Sequence, residues 1–229
     1  MNILAIIPAR KNSKGIVNKN IRLIKKKPLI SYTIDSALKS KLIQDIVVSS
    51  DSKKVETIAL KSGIKNFTLR PFSLATDKSP VEKTIIYELK KMERKKNKIY
   101  DLIILLQPTS PIRKKNIIDN AVLYFKKNIK NFDSLISITK LEEPNPYKVY
   151  TIKNKLIKKL INYKTATDTP RRQDYPDVFI PNGMIYIYKR DNIMKNKKIL
   201  GNKVLGYKTN TPYINIDKYE DLIIAEKLL

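Results

Sequence analysis

"IIPARKNSKGIVNKN", residues 6–20, joins an apolar run to a loop that is rich in hydrogen-bond donors. The apolar run begins at Ile3 and ends at Pro8, which is the pattern of a short buried strand. Arg, Lys, Asn and Ser side chains follow it, with a single glycine at Gly15. Open α/β sheets bind ligands outside the carboxyl ends of their strands. The stretch therefore predicts a ligand site at the end of the first strand.

Short apolar runs alternate with helical patterns along most of the chain. The predicted strands are Ile3–Pro8, Asp45–Ser50, Phe67–Arg70, Asp101–Leu106 and Ser134–Thr139. The predicted helices, with apolar residues at i, i+3 and i+4, are Pro28–Lys41, Ser52–Gly63, Ser79–Lys96 and Lys114–Asn128. This alternation predicts an α/β fold with a doubly wound, mainly parallel sheet covered on both faces.

The alternation stops after Thr139. Residues 140–182 are Pro-rich and contain alternating stretches such as "YKVYTI", which predict an inserted β-arm. A strand at Gly183–Lys189, a last strand at Pro212–Asp217 and a helix over Lys218–Leu229 complete the pattern. We therefore expect residues 1–139 and 183–229 to form one α/β domain and residues 140–182 to form the arm.

The composition narrows the possible chemistry. The chain has 229 residues, 42% of them hydrophobic, which is enough for a substantial core. It has no Cys and no His, so thiolate chemistry, a histidine base and histidine-ligated zinc are excluded. No apolar run approaches 18 residues, and the N-terminal run has the pattern of a strand instead of a signal peptide. We expect a cytoplasmic protein with no membrane association.

The net charge of +26 raises the possibility of nucleic-acid binding. The lysines are spread through every segment, and neither a basic stripe interleaved with aromatic residues nor a recognition helix stands out. We interpret most of the surplus as a solvated background that attracts anionic substrates, with no specific nucleic-acid partner. A non-enzymatic, basic nucleic-acid-binding protein remains the alternative.

The loop after the first strand has the composition of a phosphate-binding site. Its side-chain donors are Arg10, Asn12, Ser13, Lys14 and Lys19. Gly15 lets the backbone approach a ligand closely, and charged donors together with loop N–H groups suit phosphate. The loop matches neither the Walker pattern nor GxGxxG, so an ordinary basic loop is the alternative interpretation.

Two further stretches contain polar residues next to strands. "LIILLQPTSPIR" (Leu102–Arg113) runs from a buried strand into Gln107 and Ser110, an arrangement that suits a ligand site and a helix start equally well. "TPRRQDYPDVFIPNGMIYIYK" (Thr169–Lys189) contains Arg171 and Arg172 in a chain that otherwise favours Lys. Arginine binds carboxylate or phosphate with two parallel hydrogen bonds, although a surface salt bridge is the alternative here.

The stretch "INIDKYEDLIIAE" (Ile214–Glu226) contains Asp217 between the predicted last strand and the predicted last helix. A carboxylate at this position suits a hard divalent cation that neutralises phosphates. It also suits the N-cap of the helix, and the two roles are compatible.

Five stretches together resemble the CMP-sialic acid synthetases (N-acylneuraminate cytidylyltransferases) and their relatives acting on other nonulosonic acids. They are "IIPARKNSKGIVNKN", "LRPFSLATD", "LLQPTSPIR", "RRQDYPDVFIPNGMIYI" and "NIDKYEDLIIAE". The five stretches span nearly the whole chain and occur in the same order as in the family. The resemblance implies a nucleotidyltransferase fold with an arm that swaps across a homodimer. It also implies transfer of CMP from CTP to the anomeric hydroxyl of a 2-keto acid sugar, releasing pyrophosphate, with Mg²⁺ (or Mn²⁺) as cofactor, for cell-surface polysaccharide synthesis.

The resemblance also implies roles for individual residues. The implied nucleotide-binding residues are Arg10, Asn12, Ser13, Lys14, Gly15, Lys19, Asn20 and Arg70. The implied sugar-binding residues are Gln107, Lys148, Arg172, Asn182 and Tyr186. Within this set, Arg172 binds the sugar carboxylate and Lys148 comes from the partner subunit. The implied metal ligands are Asp217 and Asn215, and the implied catalytic residues are Arg10, Lys14, Lys19 and Asp217.

Two positions depart from the family's pattern. Asn215 stands where the family often has the first Asp of Asp-x-Asp, so a neutral oxygen replaces a carboxylate. Ile180 stands where some members have an Arg facing the sugar, which favours a sugar other than plain N-acetylneuraminate. The alternatives within this resemblance are a 3-deoxy-manno-octulosonate cytidylyltransferase and a dimeric scaffold that has lost catalysis.

Overall fold

The computed structural model describes residues 1–11, 15–163 and 171–229, apart from the side chain of Arg172. The strands of this part are β1 (Ile3–Pro8), β2 (Leu23–Ile24), β3 (Lys27–Pro28), β4 (Asp45–Ser50), β5 (Asn66–Leu69), β6 (Leu102–Leu105), β7 (Ser134–Lys140), β8 (Tyr150–Lys153), β9 (Leu156–Lys159), β10 (Phe179–Lys189) and β11 (Val204–Lys208). The helices are α1 (Leu29–Leu38), α2 (Lys53–Lys61), α3 (Val81–Lys96), α4 (Ile117–Asn128), α5 (Arg190–Asn196) and α6 (Tyr219–Leu228).

Seven strands form one sheet in the order β11-β7-β10-β6-β1-β4-β5. β1 lies between β4 and β6 and is parallel to both, and β4 pairs in parallel with β5. β10 is antiparallel to its neighbours β6 and β7, whereas β11 is parallel to β7. The predicted α/β class and the mainly parallel sheet are therefore confirmed.

Helices cover both faces of this sheet. Alternate residues of a strand point to opposite faces, so Ile3, Ala5 and Ile7 of β1 join the core beneath α1, α2 and α4. Leu4 and Ile6 join a second cluster beneath α3 and α5. Burial on both faces explains why β1 and β6 read as continuous apolar runs.

The prediction of a last strand at Pro212–Asp217 is wrong. Residues 212–217 run outside the sheet, and Ile214 and Ile216 pack with Ile16 of the first loop in a third apolar cluster. The backbone N–H of Ile216 donates to the carbonyl of Thr109 at 2.9 Å. The sheet ends instead at β11, whose short "VLGYK" segment follows a polar stretch and carries a weak strand signal.

The pairing of β10 with β7 shifts register between Pro181 and Tyr186. Gly183 lies in this irregular stretch with a φ of +73°, a backbone conformation that other residues adopt only with strain. A Cβ atom there would lie 2.5 Å from Ser110 Oγ and 2.6 Å from Asn215 Oδ1. The glycine therefore lets β10 approach the polar segments that follow β6 and precede α6.

The segment predicted as an arm contains the hairpin β8–β9, which lies outside the main sheet. β10 already begins at Phe179, so residues 179–181 pair with β7. Three tyrosine rings pack together at the base of the hairpin, with centroids 5.0 Å apart for Tyr147 and Tyr163 and 5.5 Å apart for Tyr147 and Tyr175. The dimerisation role of residues 140–182 stays a prediction.

Replacing Gly183 with Ala is expected to lower the free energy of unfolding by about 1–3 kcal/mol more than Gly63→Ala does. Gly63 is the matched control, because its φ is also positive, at +89°, but a Cβ atom there would meet nothing within 4 Å. Both variants carry the backbone strain, and only Gly183→Ala adds the overlap with Ser110 and Asn215. Urea unfolding followed by circular dichroism measures the difference, and equal losses would contradict the account of the close approach.

Candidate active site

A cleft of about 360 Å³ opens where β1 and β6 end. Five of the residues predicted from the sequence line it, namely Arg10, Lys19, Asn20, Arg70 and Gln107. They come from the first loop, the end of β5 and the end of β6, because the carboxyl ends of parallel strands meet at one edge of a sheet. The structure therefore brings together nucleotide and sugar candidates that lie up to 97 positions apart in the sequence.

Lys19 joins the first loop to the segment before α6. Its side chain is 10% exposed, and its Nζ donates to the carbonyl of Ile216 at 2.7 Å and to Asp217 Oδ1 at 2.9 Å. A buried ammonium needs such partners, because an unpaired charge out of water is costly. The contact places one cation and one carboxylate of the predicted catalytic set next to each other.

Gly15 and Asn20 shape the same loop. A Cβ atom at Gly15 would overlap the carbonyl oxygen of Asp217, so only glycine allows the loop to pass this closely. The side-chain amide of Asn20 is buried and donates to the carbonyl of Arg10 at 2.9 Å. This hydrogen bond fixes the backbone at the start of the loop, and Asn20 also lines the cleft.

Arg10 lines the cleft and contacts the segment before α3. Its Nη1 lies 2.6 Å from Asp77 Oδ1 and 3.5 Å from the carbonyl of Thr76. Asp77 ends the stretch "LRPFSLATD" but is not among the site residues predicted from the sequence. Its contact with Arg10 depends on tertiary structure, since the two residues are 67 positions apart.

Arg70 is 7% exposed and lies at the back of the cleft. Its Nη1 donates to Thr84 Oγ1 at 3.3 Å, and its Nε has no partner among the described residues. Burial lowers the pKa of Arg70, with the carboxylates of Asp51 and Glu88 acting in the opposite direction. A buried guanidinium with spare donor capacity, facing a cleft, is suited to an anionic or hydrogen-bond-accepting ligand.

Arg113 binds the backbone of Gln107, one of the residues that line the cleft. Its guanidinium donates to the carbonyls of Gln107 and Met184 and to Thr33 Oγ1, at distances of 2.8–3.0 Å. Burial lowers its pKa to about 9, so it remains a cation at neutral pH. Because these bonds join α1, the end of β6 and β10, they fix the backbone at Gln107. The alternative interpretation of Ser110 as a helix start is wrong, since α4 starts at Ile117.

Asp217 is available to a ligand. The interpretation of Asp217 as the N-cap of α6 is wrong, because Asp221 Oδ2 accepts the backbone N–H groups of Asp217 and Lys218, each at 2.8 Å. The Asp217 carboxylate is 72% exposed, and its Oδ1 contacts Lys19.

The other predicted metal ligand, Asn215, accepts a hydrogen bond from Ser110 Oγ. Among the described residues, no group of three or more His, Cys, Asp or Glu side chains is arranged around a metal position.

The remaining sugar candidates have other surroundings. Asn182 is fully buried, and its amide bonds to Ser137, Thr139 and Thr209. The ring of Tyr186 packs in the cluster beneath α3, where burial raises its pKa. The Nζ of Lys148 lies 5.9 Å from the ring centroid of Tyr175.

Arg171 forms a surface ion pair with Asp174. The side chain of Arg172 and the residues Asn12, Ser13 and Lys14 lie outside the described part of the chain.

The chain is similar to known proteins over nearly its whole length. A family model described as "Cytidylyltransferase" matches residues 4–223. The CMP-N,N'-diacetyllegionaminic acid synthase of Legionella pneumophila is 35% identical over 232 residues, which cover 100% of this chain and 97% of that protein. The chain therefore belongs to the cytidylyltransferase family, within its group of nonulosonic acid CMP-synthetases.

Other relatives agree with this assignment. The N-acylneuraminate cytidylyltransferase of Escherichia coli is 33% identical over 210 residues, and the alignment covers 90% of this chain but 46% of that protein. A CMP:2-keto-3-deoxy-manno-octonic acid synthetase complexed with CTP superposes with a TM-score of 0.71 at 16% identity, covering 100% of this chain and 98% of that one. This likeness confirms the nucleotidyltransferase fold.

Replacing Lys19 with Met is expected to lower kcat/KM for CTP by roughly 100-fold, the loss typical of removing one charged donor from an active site. The surface residue Lys61 is the matched control, since Lys61→Met removes the same charge from the end of α2. It leaves the cleft intact and so corrects for the change in the overall electrostatic field. Steady-state kinetics measure both variants. Equal activities of the two variants would show that the Lys19 contact has no catalytic role.

Proposed function

We propose that this chain transfers CMP from CTP to the anomeric 2-hydroxyl of a sialic acid or a related nonulosonic acid. The observation that carries the proposal is the end-to-end similarity to a CMP-nonulosonic acid synthase, combined with a cleft lined by Arg10, Lys19 and Arg70. A triphosphate carries several negative charges, and these three cations face the place where it would lie.

In the proposed complex, the triphosphate lies along the first loop, with Lys19 and Arg10 neutralising its charge. Lys14, Asn12 and Ser13 of the same loop are proposed to add further donors. Arg70, at the back of the cleft, is proposed to bind the nucleoside. Phosphoryl transfer depends chiefly on such positioning and charge neutralisation.

The sugar is proposed to bind beside Gln107, with its carboxylate on Arg172. Its 2-hydroxyl oxygen forms a bond to the α-phosphorus while the bond from that phosphorus to the bridging oxygen of pyrophosphate breaks. The hydroxyl loses its proton, and pyrophosphate leaves with the electron pair. Gln107 and Thr109 line the same cleft as the proposed nucleotide-binding residues and are half-buried, so a sugar beside them would lie next to the nucleotide.

The residues present suit a divalent cation. Mg²⁺ prefers oxygen ligands and is usually bound through one or two carboxylates together with substrate phosphates. Asp217 offers an exposed carboxylate, and Asn215, two residues before it on the same segment, offers an amide oxygen that accepts a hydrogen bond from Ser110. These two residues are proposed to hold Mg²⁺ (or Mn²⁺), which would neutralise the charge that develops on the phosphates.

The arm is proposed to form a homodimer and to bring Lys148 to the partner's sugar site. Ile152 of β8 and Ile157 of β9 pair across its hairpin and share one face, where their side chains are 75% and 59% exposed. A two-stranded hairpin is marginally stable on its own, and an exposed apolar patch of this kind is typical of an interface.

The expected reaction is pyrophosphate release from CTP and Mg²⁺ in the presence of N-acetylneuraminate, legionaminate or pseudaminate. A coupled pyrophosphate assay across this panel tests it, with 3-deoxy-manno-octulosonate included as the sugar of the alternative enzyme. Turnover with at least one nonulosonic acid supports the proposal. Turnover with 3-deoxy-manno-octulosonate alone would replace it with that alternative, and CTP-independent binding of DNA without turnover would favour a nucleic-acid-binding protein.

Replacing Ile152 with Asp is expected to convert a dimer into a monomer of 26.5 kDa, because the new charge would be buried in the interface. Thr151→Asp is the matched control, since it adds the same charge to the opposite face of β8. Light scattering of the purified proteins measures the mass. A monomeric unaltered chain, or dimers in both variants, would contradict a dimer held by this face of the hairpin.

In the part of the chain that the structure describes, no helix is both long and apolar enough to cross a membrane.

A further inference from the structure

Glu88 is a fully buried carboxyl group in the middle of α3. Its Oε1 accepts a hydrogen bond of 2.6 Å from Ser49 Oγ at the end of β4, and its Oε2 has no partner among the described residues. Burying a carboxyl group that is charged, or that lacks a hydrogen-bond partner, lowers the stability of the fold. An apolar residue at this position would lower it less. No step of the proposed reaction accounts for a carboxyl group here.

A chain of contacts leads from Glu88 to the cleft. Thr84 lies one helical turn before Glu88 on the same buried face of α3, and it lines the cleft. Thr84 Oγ1 accepts a bond of 3.3 Å from Arg70 Nη1 and lies 3.4 Å from the carbonyl of Leu74, to which it donates. Arg70 Nε, like Glu88 Oε2, keeps unused hydrogen-bonding capacity within the described part of the chain. The Arg70 guanidinium and the Glu88 carboxylate therefore carry opposite charges in one buried region.

The charges around this region come from several elements. Ser49 of β4 donates to the Glu88 carboxyl and Thr68 of β5 faces it, and the cations that act on it are Arg70 and, from α3 itself, Lys91. Asp51 faces Arg70 from the end of β4, and Arg10 repels it from the first loop. Burial is nevertheless the largest influence on Glu88 and raises its pKa above the ordinary value.

We propose that Glu88 is a positioning residue for nucleotide binding, whose buried carboxylate fixes the Arg70 guanidinium in the orientation that faces the cleft. Glu88 is too deeply buried to touch a ligand in the cleft, so it acts through Arg70 and Thr84. Among the described residues, no ion pair within 4 Å joins the two groups, so the carboxylate acts on the Arg70 guanidinium through its charge and leaves the donors of the guanidinium for the nucleotide. This inference rests on the proposed function, because it assumes that Arg70 binds CTP.

A double-mutant cycle measured by calorimetric titration of CTP tests the inference without requiring a sugar or turnover. Glu88→Gln keeps the shape and the acceptor for Ser49 and removes the charge, and it is expected to raise the Kd for CTP about 10-fold. In an Arg70→Met background, the same substitution is expected to change the Kd less than about twofold. Glu82→Gln on the same helix is the control, expected to bind CTP like the unaltered chain.

The outcomes separate the two proposals. Full-strength CTP binding by Glu88→Gln, or an equal loss in both backgrounds, overturns the positioning role and leaves the proposed function intact. Absence of CTP binding by the unaltered chain overturns both proposals together.

The pH dependence of CTP binding supplies a second test that needs no substitution at Glu88. Because the pKa of Glu88 is raised, its carboxylate takes up a proton at a higher pH than an exposed glutamate, and CTP affinity is expected to fall as it does so. Ser49→Ala removes a hydrogen bond that favours the charged form, so the fall should move to higher pH. Protonation of the terminal phosphate of CTP, with a pKa of about 6, affects both proteins equally. Identical pH profiles for the two proteins would overturn the inference.

Discussion

A buried ammonium group, that of Lys19, joins the first loop to the segment before the last helix. Its two bonds, to the Ile216 carbonyl and to the Asp217 carboxylate, connect residues almost 200 positions apart, and the burial of the charge makes them necessary. The apolar contact of Ile16 with Ile216 supports the same connection from beneath. These contacts hold the first loop next to Asp217, the predicted metal ligand. Both therefore lie at the edge of the sheet where β1 and β6 end.

Two buried arginines at this edge differ in how far their donors are used. Arg113 uses its guanidinium on two carbonyls and a hydroxyl, and so serves to fix the backbone around Gln107. Within the described part of the chain, the Arg70 side chain has one hydrogen bond, to Thr84, and Arg70 lines the cleft. A charge satisfied within the protein stabilises the scaffold, whereas a charge left partly unsatisfied next to a cleft is available to a ligand. By this criterion we propose Arg70, and not Arg113, for the nucleotide site.

The sequence was sufficient to predict the doubly wound sheet, because strands buried on both faces leave continuous apolar runs and helices leave a 3.6-residue period. It was also sufficient to place Arg10 and Lys19 at the edge of the sheet. It did not reveal β11, whose short segment has little periodicity, or the departure of residues 212–217 from the sheet. The partners Asp77 and Glu88 were missed since their roles depend on contacts with residues distant in sequence, Arg10 and Ser49.

The central claim is that the cleft beside Lys19 and Arg70 binds CTP. A crystal structure of the chain with CTP and Mg²⁺ tests this most directly. The account predicts a triphosphate along the first loop within hydrogen-bond distance of Lys19, with the nucleoside against Arg70. Density for the nucleotide elsewhere on the basic surface, with the Lys19–Asp217 contact and the cleft unchanged, would contradict it.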